Sequence, residues 1–149
     1  MILFSQNDPA WKSIKMGLSN CTLGNFGCTT SCIATGGTWF GETFTPGELA
    51  KKLTYTKDGL IIWQSIEKVY KSMKFHWRFY KYDQVLIDQA LKDPNKVVLF
   101  NVNHGKHWVF GLNKVPFIGY RAMDPYPFPS KKRFYSPAEI VGWCILTKK

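Results

Sequence analysis

The chain has 149 residues, of which 45% are apolar and 16% aromatic, which favours one folded domain over residues 1–149 and excludes a disordered protein. No apolar run approaches the roughly 20 residues that span a bilayer, so we expect no membrane span. The net charge of +10 indicates affinity for polyanions such as nucleic acid, anionic lipid or wall polymers. Because the lysines are dispersed, apart from Lys131-Lys132-Arg133 and Lys148-Lys149, a solvated basic face is the simpler interpretation.

The first half of the chain predicts irregular structure followed by helices. Residues 1–27 contain repeated glycine and Asp-Pro breakers. A helix is expected to begin at Cys28 and to end at Gly36-Gly37. The segment Thr45-Pro46-Gly47-Glu48 has the pattern of a capping box and begins a second helix. Apolar residues at helical spacing predict two more helices, over residues 60–73 and 83–92.

The second half of the chain changes to the period of β-strands. Residues 74–80 alternate Phe75, Trp77 and Phe79, which leaves His76 out of phase and facing solvent. Four further strands are predicted at residues 96–102, 107–112, 119–124 and 142–147. A short helical turn is predicted at residues 137–140. Helices first and antiparallel strands after indicate an α+β fold with the helices packed on one side of a sheet.

The N-terminal residues and the cysteines bear on compartment and metals. Residues 1–8 lack the basic and long apolar regions of a signal peptide, so we expect cytoplasmic residence by default, with phage association or release at lysis as the alternative. Without a secretory signal, reduced thiols are expected. Cys28 and Cys32 lie one helical turn apart, and His104 and His107 form a second possible pair of zinc ligands. No Cys-x-x-Cys motif completes such a site, so we expect neither metal nor cofactor.

Cys28 is the strongest candidate for a functional residue. It follows a glycine turn and opens a predicted helix, where unpaired N–H groups and the helix dipole stabilise a thiolate. The alternative is an inert buried thiol. Cys32 and Cys144 are expected in the core, and Cys21, in a turn, is an alternative nucleophile.

A histidine and a carboxylate complete the pattern of a nucleophilic cysteine site. His107 begins a predicted strand and is the best candidate for a general base. Asp124 ends the next strand, where its carboxylate could fix the tautomer of His107. A strand-end histidine without chemistry and a turn-forming Asp-Pro are the alternatives. The Cys28 N–H and the amide of Gln6 are candidate donors to an oxyanion.

Five segments, in order along nearly the whole chain, resemble motifs of the papain-fold cysteine peptidases related to the leader-peptidase domains of bacteriocin exporters, the double-glycine peptidase group. Residues 5–11 resemble the family's opening Gln-x-Asp-x-x-Trp, and residues 22–31 resemble its Gly-Cys nucleophile stretch. Residues 45–49 resemble the helix that follows, residues 106–109 its Gly-His-Trp-Val and residues 123–125 its Asp-Pro.

The resemblance implies a papain-like fold and acyl transfer to water through a thioester. Cys28 would be the nucleophile, His107 the general base and then acid, and Asp124 the orienting carboxylate. Gln6 would be the oxyanion donor together with the Cys28 N–H. Thr29-Thr30 stands where the family often has Gly-Pro, so the subsites and the substrate are expected to differ. No exporter membrane segments accompany the domain, so the bacteriocin-leader role is not carried over.

Three functions are compatible with these residues. The first is a cysteine peptidase that cuts a peptide or isopeptide bond. The second is a peptidoglycan amidase or endopeptidase of a phage or bacterial lysis system, which would suit the basic charge. The third is a non-catalytic binding or structural module, for example in a phage particle. The expected partner is a peptide or a peptidoglycan peptide, and the sequence leaves the oligomeric state open.

Overall fold

The computed structural model describes residues 1–128 and 131–149, without the side chains of Lys131 and Lys132. Within these residues there are five α-helices and six β-strands, together with two short 3₁₀ turns. The helices are α1 (Leu23–Phe26), α2 (Cys28–Trp39), α3 (Pro46–Lys52), α4 (Ile66–Val69) and α5 (Gln84–Lys92). The strands are β1 (Met73–Phe79), β2 (Lys96–Val102), β3 (His107–Val115), β4 (Gly119–Asp124), β5 (Lys131–Tyr135) and β6 (Gly142–Lys148).

The strands form one antiparallel sheet in the order β1-β6-β2-β3-β4-β5. The α+β class predicted from the sequence is therefore confirmed. Strand β5 was not predicted. It includes the basic run at residues 131–133, of which only the Arg133 side chain is described. None of the helices in the described residues is long and apolar enough to cross a membrane.

The two faces of the sheet carry different helices. Helices α2 and α4 pack on the face that carries Leu99, Phe110 and Cys144. Helix α5 packs on the opposite face, where Ile87 lies among Phe100 and its neighbours. The prediction that all helices pack on one side of the sheet is therefore wrong for α5. The reason is that strands β2 and β6 are apolar on both faces, so a second layer is needed to cover the far face.

Helix α2 begins at Cys28, as predicted, but continues through Gly36-Gly37 to Trp39. The predicted end at the glycines is wrong because both are packing positions rather than caps. A Cβ atom on Gly37 would lie 2.4 Å from Cε1 of the Tyr70 ring and 2.8 Å from the carbonyl oxygen of Glu42. Glycine here lets the helix approach its neighbours closely, so α2 is buried along most of its length.

The predicted helix over residues 60–73 is mostly wrong. A 3₁₀ turn at Trp63–Ser65 and the single turn of α4 occupy part of it, and β1 already begins at Met73. The Glu42 carboxylate accepts hydrogen bonds from the N–H groups of Lys71 and Ser72, both at 2.9 Å to Oε1. This distant carboxylate satisfies backbone donors that a longer helix would have paired internally, so the periodicity of the segment does not decide its structure.

Strand β1 contains a bulge that changes which side chains face the core. The pairing with β6 shifts between Phe75 and Trp77, so His76 has no partner. Beyond the bulge Arg78 pairs with Cys144 and shares its face of the sheet, whereas Trp77 is 60% exposed. The alternation that grouped Trp77 with Phe75 is therefore wrong. The expected exposure of His76 is confirmed.

Candidate active site

An open cleft of about 1200 Å³ lies where the N-terminus of α2 meets the ends of β3 and β4. Cys28, His107, Asp124 and Gln6 all line it, although they are spread over 119 positions of the sequence, from 6 to 124. The fold therefore gathers the four candidate site residues around one concavity.

Cys28 is the first residue of α2, and the residue is 8% exposed. Burial alone raises the pKa of a thiol, but a hydrogen bond and the charge of His107 oppose it here. Hydrogen bonds with the Trp108 backbone and the Thr29 hydroxyl act in the same direction, and the net effect lowers the pKa of Cys28 below its usual 9.0. A thiol with a lowered pKa that borders a cleft has the properties of a nucleophile rather than of a core residue.

His107 is the first residue of β3, and a tight turn over residues 103–106 delivers it to the cleft. Asn103 and His104 in this turn have positive φ angles of 52° and 55°. With its amide nitrogen directed at the turn, Asn101 donates to the carbonyl oxygens of His107 at 2.9 Å and of Gly105 at 3.1 Å. These bonds offset the strain of the turn and fix the backbone that carries the imidazole.

Asp124 is the last residue of β4 and holds the far side of the imidazole. Its Oδ1 atom lies 2.7 Å from Nε2 of His107 and also accepts from the Tyr126 N–H at 2.9 Å. Arg133 Nη1 is 3.8 Å from the second carboxylate oxygen. Burial opposes the ionised carboxylate, but these contacts, with the hydrogen bond to His107 first, lower the pKa of Asp124.

The hydrogen bond to Asp124 also sets the chemistry of His107. Because Nε2 is engaged by the carboxylate, Nδ1 is the ring nitrogen left for the Cys28 thiol. Burial disfavours the imidazolium, yet the contacts with Asp124 and Cys28 outweigh it and raise the pKa of His107 from 6.5 to about 9. A lowered thiol pKa beside a raised imidazole pKa favours a thiolate–imidazolium pair near neutral pH.

Gln6 is placed by the loop that follows Asp124. Its backbone N–H donates to the Pro125 carbonyl oxygen at 2.8 Å. The Ser5 hydroxyl donates to the carbonyl oxygens of Pro125 at 3.0 Å and Pro127 at 2.7 Å. The N-terminal segment is thus tied to the same loop that carries the carboxylate, so Gln6 reaches the cleft despite its distance in sequence.

The amide of Gln6 is suited to donate a hydrogen bond into the cleft. Gln6 is 2% exposed, and its Nε2 donates to the Gly24 carbonyl oxygen at 3.1 Å, which leaves the second proton of that nitrogen available. The Oε1 atom is buried without a hydrogen-bond partner among the described residues. The Cys28 N–H, as the first of α2, has no acceptor within the helix. Two candidate donors therefore line the same cleft as the thiol, and an oxyanion requires such donors.

The other cysteines have different environments. Cys32 and Cys144 are fully buried in the core as predicted, and burial raises the pKa of both thiols. The Cys21 thiol donates to the carbonyl oxygen of Asp58 at 3.3 Å. All four cysteines, each within the described residues, are free. In the same part of the chain no group of three His, Cys, Asp or Glu residues is arranged to hold a metal ion.

Sequence reasoning missed three residues of the site. Asn101 supports the turn before His107, and its only signal was a polar residue at the end of an otherwise apolar strand. The backbone of Trp108 contributes to the lowered pKa of the Cys28 thiol. Arg78 lines the cleft, and no sequence pattern indicated the bulge that brings it there.

Comparisons with protein-family models, with curated proteins and with solved structures find no match to this chain.

Proposed function

We propose that this protein is a cysteine peptidase that hydrolyses a peptide or isopeptide bond through an acyl-enzyme. The observation that carries the proposal is the Cys28–His107–Asp124 arrangement at the cleft. In it the thiol pKa is lowered, the imidazole pKa is raised to about 9, and the carboxylate lies 2.7 Å from Nε2. At Cys32, burial raises the pKa of the thiol. At Cys28, the contact with His107 outweighs burial and the pKa of the thiol is lowered, which is not expected of an inert buried thiol.

In the first step the Cys28 thiolate attacks the carbonyl carbon of the scissile bond, and the C–S bond forms as the carbonyl π bond becomes an oxyanion. The Cys28 N–H and the Gln6 amide donate hydrogen bonds to that oxygen. The imidazolium of His107 protonates the departing nitrogen from Nδ1, the C–N bond breaks, and a thioester and a free amine result.

In the second step water replaces the amine. Neutral His107 takes a proton from the water at Nδ1, the hydroxide attacks the thioester carbon, and the same two donors stabilise the second oxyanion. The C–S bond then breaks, the acid is released, and the thiolate–imidazolium pair is restored. Asp124 holds the ring in one tautomer and stabilises its positive charge in both steps.

The papain-like fold is part of the same proposal. A nucleophilic cysteine at the start of a buried helix, with a histidine and a carboxylate on two adjacent antiparallel strands, agrees with what the resemblance to the double-glycine peptidase group implies. Support for this assignment comes from the five motifs and from the way that the fold groups their residues.

A peptidoglycan amidase or endopeptidase is the second candidate, for use in bacterial lysis or phage entry. The observation that favours it is the net charge of +10, because a basic protein is attracted to anionic wall polymers. The chemistry at Cys28 is the same, and only the acyl donor differs.

The test measures hydrolysis of a quenched fluorescent peptide library and of purified sacculi. Cys28→Ser is expected to abolish turnover without changing the unfolding midpoint, because the hydroxyl lacks the acidity that His107 exploits. Cys21→Ser is the matched control and retains activity. Release of peptides from sacculi but not from the library selects the wall enzyme. Hydrolysis that persists in Cys28→Ser, or no hydrolysis of either substrate, contradicts the proposal and favours a non-catalytic module.

A further inference from the structure

Arg78 is a cleft residue that the proposed mechanism does not use. The bulge in β1 at His76 shifts the strand by one residue, so Arg78 takes the same face as Cys144. Without this extra residue the alternation from Phe75 would direct Arg78 to the far face. β-bulges often re-aim a side chain next to a functional site. The shift therefore has a local consequence, which is to bring a guanidinium into the cleft.

Aromatic rings hold the Arg78 guanidinium. Its Cζ atom lies 5.0 Å from the centroid of the Trp108 ring and 4.7 Å from that of Tyr80. Trp108 directly follows His107, and its backbone contributes to the lowered pKa of the Cys28 thiol. Stacking uses the faces of a guanidinium and leaves its N–H edges free to bind a planar anion. The guanidinium therefore lies over the side chain of the residue that follows the candidate base in sequence.

The N–H edges of Arg78 lack partners within the described residues. Its Nε atom is buried and has no hydrogen-bond partner, and no carboxylate lies within 4.0 Å of its guanidinium nitrogens. The other arginine of the cleft, Arg133, has Asp124 at 3.8 Å. The acidic cleft residue Glu139 accepts a hydrogen bond from the N–H of Ser136 at 2.7 Å. Arg78 is therefore a partly buried cation at the cleft whose guanidinium has no hydrogen-bond or carboxylate partner among the described residues.

We propose that Arg78 forms a subsite for a carboxylate of the substrate, close to the bond that Cys28 attacks. Because Nε is covered, the carboxylate reaches the guanidinium through its terminal nitrogens, which can form two parallel hydrogen bonds with it. The carboxylate is either an acidic side chain or the free C-terminus of the substrate. This inference rests on the proposed peptidase function, since it names the substrate class of the same cleft.

The test compares Glu with Gln at each position of a quenched peptide library, and a free C-terminus with an amidated one. In the native protein we expect the charged substrate of one of these pairs to react about tenfold faster than its neutral counterpart, as one charge-assisted hydrogen bond allows. Arg78→Gln removes this preference, and Arg78→Lys retains part of it. Arg121→Gln, an arginine that does not line the cleft, leaves the preference unchanged. A preference for Glu identifies a side chain as the source, and a preference for the free terminus identifies the C-terminus.

The experiment separates failure of the proposed subsite from failure of the proposed peptidase function. Hydrolysis with equal rates for charged and neutral pairs, or with the same preference in Arg78→Gln, overturns the subsite and leaves the peptidase intact. If no peptide is cut, N-acetylglutamate and N-acetylglutamine amide, which has no carboxylate, are titrated while the Nε–H resonance of Arg78 is followed by NMR. A shift caused only by N-acetylglutamate supports the subsite without the peptidase, and an equal shift with both compounds, or no shift with either, overturns it.

Discussion

The Asp124–His107 hydrogen bond gives the most quantitative prediction. Burial disfavours the imidazolium, yet Asp124 and Cys28 together raise the pKa of His107 from 6.5 to about 9. The difference of about 2.5 between these two pKa values corresponds to about 3.5 kcal/mol, at about 1.4 kcal/mol per pH unit. We assign about half of this energy to Asp124, so its charge is worth about 1.7 kcal/mol, or slightly more than one pH unit. Asp124→Asn keeps an oxygen at the same position but removes the charge.

The assay is the rate of alkylation of Cys28 by iodoacetamide as a function of pH, followed by peptide mapping. The thiol pKa is lowered by the imidazolium, so a weaker imidazolium is expected to move the acid limb of this profile upwards by about one pH unit in Asp124→Asn. Cys21 in the same molecule is an internal reference. Asp88→Asn is the matched control, because that carboxylate pairs with Lys114 on the far side of the sheet. An acid limb that stays in place, or that moves downwards, refutes the reasoning.

Two further predictions concern the oxyanion donors and the core. Gln6→Ala is expected to lower kcat on the order of a hundredfold with little change in KM, because the lost donor acts mainly on the oxyanion. A rise in KM with an unchanged kcat would contradict this role. Gly37→Ala is expected to lower the free energy of unfolding by about 1–3 kcal/mol, since its Cβ would lie 2.4 Å from the Tyr70 ring. Gly36→Ala, whose Cβ would meet Val97 at 3.3 Å, is the matched control and costs less. Equal unfolding midpoints for the two variants in urea would show that the packing argument is wrong.

The sequence predicted those parts of the fold that depend on local signals. Strands β2 and β4 have the predicted bounds, since each is an apolar run ended by turn residues. Helix α3 begins at the predicted capping box, in which the Thr45 hydroxyl accepts from the Glu48 N–H at 3.1 Å. The start of α2 at Cys28 was also predicted, from the glycine turn before it.

Features that depend on distant contacts were not predictable. Gly37 reads as a helix end in the sequence, but the ring of Tyr70 makes it a packing position. The bulge at His76 is a property of the pairing between β1 and β6, so the alternation of Phe75 and Trp77 gave the wrong faces. The second helix layer follows from the burial of both faces of β2, which a single strand does not reveal.

The same distinction between local signals and distant contacts applies to the residues of the candidate site. Cys28, His107 and Asp124 were chosen from residue type and from their positions at element ends, and the structure groups them at one cleft. Gln6 was a candidate donor from its place in the irregular N-terminal segment, but the resemblance was needed to select it, because no local pattern links residue 6 to the loop after Asp124. Arg78 was missed, since its role depends on a register shift in the sheet. The roles of all five residues are proposals that the experiments above test.

The central claim is that Cys28 forms a thioester during turnover, and its most direct measurement is the mass of the acid-quenched protein. Peptide p-nitrophenyl esters have a good leaving group, so we expect them to acylate the thiol faster than the thioester hydrolyses and the intermediate to accumulate. The expected result is one acyl group per chain, labile to hydroxylamine, on the peptide that contains Cys28, and absent in Cys28→Ser. An acyl group on Cys21 instead, or no adduct while the ester is still hydrolysed, would contradict the account.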